Sequence, residues 1–331
     1  MKPPVGTFMG TTIFDKLRCG FRSGLLLLST ILTLGCDVKD MPGGGFLKSG
    51  QRTFHQKFHW QASNFFDDSQ VIELCEAIEA NDLQRMDQLI AAGADVNARG
   101  IGNMTPLMWA FPDNKLERFQ KLLEHGADPN VKITSNLGVP SGFAVGDSVT
   151  TEAAQTHFLG YFEAVMQAGG DANIRDGSKL TPIQIIILAI VPDAKQRCEM
   201  ALQHGADINT LAGDLTPPMA AVATAGQYDL AMYFLEKGAD HTLRMENKLQ
   251  KLIHMVVSRE SEMRRLTPGQ RVAHQRLLDW LIAHGEDADA ARADWARWTN
   301  FSKIPDVHAR QWQAEVAAQD AKSKIENSET N

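Results

Sequence analysis

The sequence predicts an all-α solenoid of about six stacked helix pairs, and three observations predict it. The first is a recurring tripeptide. Gly-Ala-Asp stands at Gly93-Ala94-Asp95, Gly126-Ala127-Asp128, Gly205-Ala206-Asp207 and Gly238-Ala239-Asp240, with variants at Gly169-Gly170-Asp171 and Gly285-Glu286-Asp287. Successive copies are 33, 43, 36, 33 and 47 residues apart. The second is the short apolar run before each copy, such as Leu89-Ile90, Leu122-Leu123, Val165-Met166 or Phe234-Leu235. The third is a start signal about ten residues after a stop, at Thr105-Pro106, Thr181-Pro182 and Thr216-Pro217.

Each signal has a physical reading. Gly takes the left-handed conformation that ends a helix, and the Asp and Asn that follow it favour a turn. Thr accepts a hydrogen bond from a free N–H of the first helical turn, and Pro suits a position that needs no N–H partner. The unit is therefore a turn, a capped helix, a short link, a second helix and a Gly stop.

This pattern resembles the ankyrin repeat over roughly residues 69 to 290. The stretch from Leu215 to Thr242, with Thr216-Pro217-Pro218-Met219-Ala220-Ala221 at its start and Gly238-Ala239-Asp240 at its end, follows the family pattern most closely. The His that the family places after Thr-Pro-Leu is replaced by Met108, Gln184 and Met219. The resemblance implies paired antiparallel helices joined by β-hairpin-like loops, and a protein partner held by the loop tips and first helices.

Residues 1–35 read as a lipoprotein signal peptide. Lys16, Arg18 and Arg22 precede the apolar run from Leu25 to Leu34, which is short for a membrane span. The run ends at Gly35-Cys36, similar to the bacterial lipobox, which makes Cys36 the expected lipidated residue. An ordinary signal peptide or anchor helix is the alternative. Asp37 resembles the signal that retains a lipoprotein at the bacterial inner membrane, so the expected location is lipid-anchored on the periplasmic side. Residues 36–67 are read as tether and lead-in. Met41-Pro42-Gly43-Gly44-Gly45 is flexible by composition. Phe54, Phe58, Trp60, Phe65 and Phe66 are suited to covering the open apolar face of the first repeat. His55 and His59 have metal-ligand spacing if helical, but the covering role is the stronger reading.

Residues 68–301 form the expected repeat domain, and 302–331 a polar C-terminal tail. Repeat one lacks the Thr-Pro start. Repeat two carries Met104, Trp109 and Phe111, and Trp109 suits either packing between helices or contact with a partner. Repeat three has no Thr-Pro start and gains a Gly-, Ser-, Asn- and Pro-containing loop from Lys132 to Gly142, which is either part of a binding face or an insertion without a role. In repeat four, Ile183, Ile185, Ile186, Ile187, Leu188, Ile190 and Val191 predict a helix buried on all sides. Repeat six restarts at Thr267-Pro268 after a charged elbow, and Trp295, Trp298 and Phe301 suit an end cap. Cys75 and Cys198 lie three repeats apart, roughly 30 Å at about 10 Å per helix layer, so both are expected as free, buried thiols.

Composition excludes some partners. The formal charge is −7 over 331 residues. Lys2, Lys16, Arg18 and Arg22 against Asp15 leave the first 35 residues net positive, so the remainder is more acidic still, which argues against nucleic acid. His125, His204 and His284 each precede a Gly stop, where the negative helix end explains them. No Gly-rich phosphate loop, His-Glu-x-x-His or zinc-spaced Cys pair is present. The reading is therefore a protein-binding chain and not an enzyme, with no cofactor, no metal and no small-molecule substrate. By repeat register the candidate contact residues are Arg99, Asn103, Met104, Trp109, Arg175, Lys179, Asp214, Arg244 and Asn247. Periplasmic repeat lipoproteins resemble immunity partners of secreted antibacterial toxins, such as phospholipases delivered by type VI secretion. A helper for a periplasmic enzyme such as a catalase, or an envelope scaffold, is the alternative.

Overall fold

A computed structural model describes residues 52–137, 142–212, 215–224, 226–245 and 250–301. Cys36, the signal segment and the tail expected over 302–331 lie outside these. The described residues fall into two compact units that divide between Asp240 and His241.

The first unit opens with a lead-in helix, α1 (Phe54–Lys57), followed by five helix pairs. The pairs are α2 (Ser69–Ala80) with α3 (Leu83–Ala91), α4 (Pro106–Ala110) with α5 (Leu116–Glu124), and α6 (Val149–Gln155) with α7 (Tyr161–Gln167). They continue as α8 (Pro182–Ala189) with α9 (Ala194–Gln203), and α10 (Pro217–Ala223) with α11 (Tyr228–Glu236). First helices pack beside first helices, and second helices beside second helices, so the unit has two helical layers. The second unit contains α12 (Leu252–Ser258), a 3-10 turn over Arg259–Arg265, α13 (Pro268–Ala283) and α14 (Ala288–Phe301). Among the described residues there is no β-strand, and a single isolated antiparallel bridge joins Ala212 and Leu215.

The stops behave as the sequence predicts. Gly93, Gly126, Gly169, Gly205, Gly238 and Gly285 all have φ between 81° and 105°. After each, the next residue donates its N–H back five residues into the helix: Ala94 to Leu89, Ala127 to Leu122, Gly170 to Val165, Ala206 to Ala201, Ala239 to Phe234 and Glu286 to Leu281, at 2.9–3.0 Å. Two otherwise orphaned carbonyl turns are thereby closed by a Schellman motif.

The starts are more varied than the Thr-Pro signal alone suggests. Thr105 accepts from the Met108 N–H at 3.2 Å, and Thr267 and Gln270 form a reciprocal capping box. Thr216 makes no such side-chain bond, so Pro217 alone presets that helix. Repeat three starts instead on Ser148, whose hydroxyl and Thr151 cap α6 reciprocally. In repeat four, Gln184 reaches back to the Thr181 N–H at 3.2 Å.

The apolar positions fill the core. Ile183, Ile185, Ile186 and Ile187 of α8 are buried, each contributing roughly 1.5–3 kcal/mol. Ile190 does not join them. The helix stops at Ala189, and Ile190 caps it at φ 54° with half of its surface exposed. Cys75 and Cys198 are free and buried, and burial pushes both thiols above their ordinary range.

The lead-in segment covers more than repeat one. Trp60, Phe65 and Phe66 are buried, and Thr53 donates to Glu79 at 2.9 Å. The segment then reaches repeat two: the Phe54 N–H donates to Asp113 at 2.8 Å, and His55 Nε2 donates to the Trp109 carbonyl at 3.0 Å. His59 lies outside α1 with φ 55°, so the His pair does not share a helical face.

In the second unit, α14 packs on α12. The His254 and Trp298 rings lie 4.8 Å apart, and Trp295 and Trp298 are half-buried.

Candidate functional site

The loop tips of repeats two to five are tied to one another in sequence order. Asn103 Nδ2 donates to the Lys132 carbonyl at 3.2 Å, and the Thr134 N–H donates to the Gly102 carbonyl at 3.0 Å. The next tip closes on the one after it so tightly that a Cβ on Gly146 would lie 2.6 Å from Gly177 Cα. Arg175 then donates to the carbonyls of Lys179, at 2.9 Å, and Leu211, at 3.3 Å. The tips therefore form one continuous face.

Beneath the tips runs a ladder of Asn side chains. Asn97 Nδ2 donates to the Gly126 carbonyl at 2.9 Å, while its Oδ1 accepts from the Asp128 N–H at 2.8 Å. Asn130 binds Gly169 and Asp171 in the same way, and Asn173 binds Gly205 and Asp207. Asn209 accepts from the Asp240 N–H at 2.8 Å. Each amide thus clamps the Gly stop of the following repeat and fixes the spacing of the tips.

The predicted contact residues divide by exposure. Arg99, Arg175 and Lys179 are exposed on the tip face, and Asn103 is half-buried there. Arg99 faces Asp128 at 3.7 Å. Met104 and Trp109 are buried. The Trp109 indole donates to the Cys75 carbonyl at 3.0 Å, and its ring packs against His55, Trp60 and Phe65, so of its two predicted roles the structure gives it packing. Arg244, in the second unit, is half-buried. Asp214 and Asn247 lie outside the described residues.

Three carboxylates stand behind the tips of repeats three and four. Glu152 is buried on α6, accepts from Gln155 Nε2 at 2.8 Å, and shares a hydrogen bond with Asp147. Asp147 also accepts the Ala144 N–H at 2.7 Å and the Gly177 N–H. Asp176 accepts the N–H groups of Ser178 at 2.9 Å and Leu180 at 2.7 Å. Burial raises the pKa of all three; for Glu152 the charge of Asp147 adds to it.

Further residues hold the helices that carry the tips. Gln184 Nε2 donates to the carbonyls of Thr210, at 3.1 Å, and Leu215, at 3.3 Å, so it makes tip contacts from the position where the resemblance expects His. Arg118 and Arg197 are buried and donate to the carbonyl ends of first helices: Arg118 to Ala110 and Ile78, and Arg197 to Ala153 and Thr156. A charged residue at an apolar phase of a second helix is the signal that marks both. Among the described residues, no group of three or more His, Cys, Asp or Glu is placed to hold a metal ion, and no helix is long and apolar enough to cross a membrane.

The family model of the ankyrin repeat matches residues 102–133. That stretch runs from one tip through α4, α5 and the Gly126 stop to the next tip. No curated protein matches the chain. With the helix pairs, Gly stops and Asn clamps repeated on either side of the matched segment, the fold is an all-α ankyrin-repeat solenoid. Ankyrin repeats point to a protein partner.

Proposed function

We propose that this ankyrin-repeat protein binds its partner through the tip face of repeats two to five, and that it does so as a lipid-anchored protein on the periplasmic side of a bacterial inner membrane. The observation that carries the first part is the continuity of the tips, each bonded to the next and held in register by the Asn ladder. A fixed, extended face of this kind binds a folded partner without ordering cost. The anchor rests on the basic residues, apolar run and Cys36 of the sequence.

The specific form we infer is an immunity protein that neutralises a secreted antibacterial toxin, such as a phospholipase delivered by type VI secretion. Tethering at Cys36 concentrates the inhibitor where such a toxin acts. No chemistry is assigned to the chain itself. The test is an affinity isolation of the full-length protein from its own bacterial envelope, with mass spectrometry of bait and prey. An acylated N-terminal Cys36 and one dominant toxin-like prey are expected. A dominant periplasmic enzyme whose activity rises on binding makes the protein an accessory factor instead. Unmodified Cys36 with no prey above background removes both the anchor and the immunity role and leaves an envelope scaffold.

A further inference from the structure

The charge on the tip face is the reverse of the charge on the chain. The protein carries 33 Lys and Arg against 40 Asp and Glu, so an average patch of its surface is acidic. In the described tips of repeats two to four, over 97–104, 131–137, 142–148 and 173–180, the basic residues are Arg99, Lys132, Arg175 and Lys179, and all four are exposed. The acidic residues in the same segments are Asp147 and Asp176. Both are half-buried: Asp147 accepts the Ala144 and Gly177 N–H groups and shares a hydrogen bond with Glu152, and Asp176 accepts the Ser178 and Leu180 N–H groups on its Oδ1.

The cations are not matched in the same way. Arg99 has Asp128 at 3.7 Å, with both side chains nearly half exposed, an arrangement worth little in water. Arg175 is bonded to two carbonyls and the Thr210 hydroxyl, which hold its position without neutralising it. Among the described residues, no carboxylate lies within 4 Å of the Lys132 or Lys179 ammonium, and Lys132 acts on Asp176 only as a nearby charge. Two exposed aliphatic side chains stand among these cations: Ile101 is 59% and Val145 51% exposed.

From this we propose that the tip face of repeats two to four recognises an acidic segment of the partner protein, one in which carboxylates alternate with apolar side chains that cover Ile101 and Val145. The inference rests on the protein-binding reading above and adds the chemistry of the partner. Carboxylates at the tips gain Coulomb attraction to a face whose own acids are already engaged, and like-charged alternatives are repelled. Nucleic acid also offers negative charge, but a phosphate backbone has no aliphatic groups to place against Ile101 and Val145.

The experiment uses the full-length protein and a fluorescent peptide of alternating Glu and Leu, read by anisotropy. A matched Lys-Leu peptide and a single-stranded oligonucleotide of similar charge are run beside it. The variants are Lys132→Glu with Lys179→Glu and, as a charge-matched control away from the tips, Lys195→Glu with Lys237→Glu. Both tip side chains are exposed, and Glu at 179 faces the same left-handed backbone as Lys, so thermal unfolding of the tip variant should match wild type. The expected result is binding of the Glu-Leu peptide alone, weakened about tenfold by the tip reversal and by raised salt, and little changed by the control. Equal loss in both variants, or no binding of the acidic peptide, overturns the proposal. Oligonucleotide binding as tight as the peptide's also overturns it, in favour of a surface for any polyanion. A photo-crosslinker at Ile101 separates this failure from that of the parent reading. If it joins the tip face to a protein while the acidic peptide does not bind, protein binding stands and the acidic specificity falls.

Discussion

The unit that ends at Asp240 and the unit that begins at His241 differ in how far their helix pairs rely on side-chain bonds to backbone. In the first, side chains bond to backbone. Asn97, Asn130 and Asn173 clamp the following Gly stop, and Arg118, Arg197 and Gln227 close the carbonyl ends of first helices. In the second, buried His274 still bonds the Val256 carbonyl at 2.9 Å, but charged side chains also bond to one another. Glu286 stands where earlier repeats have Ala or Gly, and accepts from His241 at 3.1 Å and Lys251 at 3.3 Å. His254 faces Asp294 at 3.6 Å, and Arg292 bridges Glu260 and Asp289. Backbone acceptors are fixed by the helices that carry them, so bonds to them set a repeat spacing. Glu286 and His254 are buried, but the pairs of Arg292 lie on an exposed surface and follow salt and pH instead. The lesson is that a face required to keep its register is built on the former.

The largest expected effect tests that rule. Arg118→Ala strips hydrogen bonds from the carbonyls of Ile78, Ala110 and Pro112 in a site 1% exposed. A loss of about 3–5 kcal/mol in urea unfolding is expected. A loss below about 1 kcal/mol would show that these carbonyls find other partners and that the comparison is wrong.

The lead-in segment gives the next effect. Burial, with Arg118 nearby, lowers the pKa of His55 to about 4, while Asp113 and the Trp109 carbonyl oppose the shift. The folded value lies below the ordinary 6.5, so the neutral ring is the one the fold accepts. Its stability is present above about pH 6.5 and is lost as pH falls toward 4, by about 3 kcal/mol in all. Tryptophan fluorescence of Trp60 and Trp109 should report loosening over that window. His55→Gln, which keeps a donor for the Trp109 carbonyl, should flatten the response. An unchanged response in that variant assigns it to another group.

Asn130→Ala comes third. The amide bonds the Gly169 carbonyl and the Asp171 N–H at the surface and the hydroxyl of buried Thr150, so a cost of about 2 kcal/mol is expected. Hydrogen exchange should localise the loss to the seam between repeats two and three. A uniform change across the unit would mean that the clamp does not set local spacing.

These residues also show how far the sequence could be read. The Gly stops were legible because a left-handed helix end strongly favours Gly. The Asn two residues after Asp95, Asp128, Asp171 and Asp207 was legible as a turn former. Its second role, clamping a repeat some 30 residues away, depends on a partner that periodicity alone does not place. Trp109 shows the same limit: its position on a first helix is readable, but whether that face is open depended on where Trp60 and Phe65 fold back. Lys132 was readable only as part of an insertion, because its place among the tips follows from bonds such as Asn103 to its carbonyl. Glu152 reads as a helical surface residue, and only the packing of the tip behind Asp147 buries it.

Glu152→Gln is expected to gain stability at neutral pH. The folded pKa is raised above the unfolded one by burial and by Asp147, so the stability associated with the protonated form is present below the ordinary carboxyl range and is lost as pH rises through the raised value. Gln accepts from Gln155 and donates to Asp147 at every pH. A gain of about 1 kcal/mol at pH 7, shrinking toward pH 4, is the expected result from thermal melts across that range. A variant less stable than wild type at pH 7 would mean that the carboxylate is held charged.

The smallest effect belongs to the second unit and completes the comparison. Arg292 makes closer charge contacts than Arg118, with Glu260 at 2.7 Å and Asp289 at 2.6 Å, and these bonds raise its pKa above the ordinary value. Its side chain is nonetheless 41% exposed, and that of Asp289 is 92% exposed. Water replaces what the pairs supply, so Arg292→Ala should cost about 0.5 kcal/mol at low salt and close to nothing at high salt. Arg118→Ala should keep nearly its full cost in both conditions, because its acceptors are buried carbonyls and the one carboxylate it faces, Asp113 at 3.6 Å, is only 14% exposed. Parallel unfolding curves at two salt concentrations decide it. If the two variants respond to salt alike, burial and acceptor type do not distinguish the units. If the two responses separate, the same guanidinium group fixes repeat geometry where it bonds buried backbone and only decorates a surface where it bonds exposed acids.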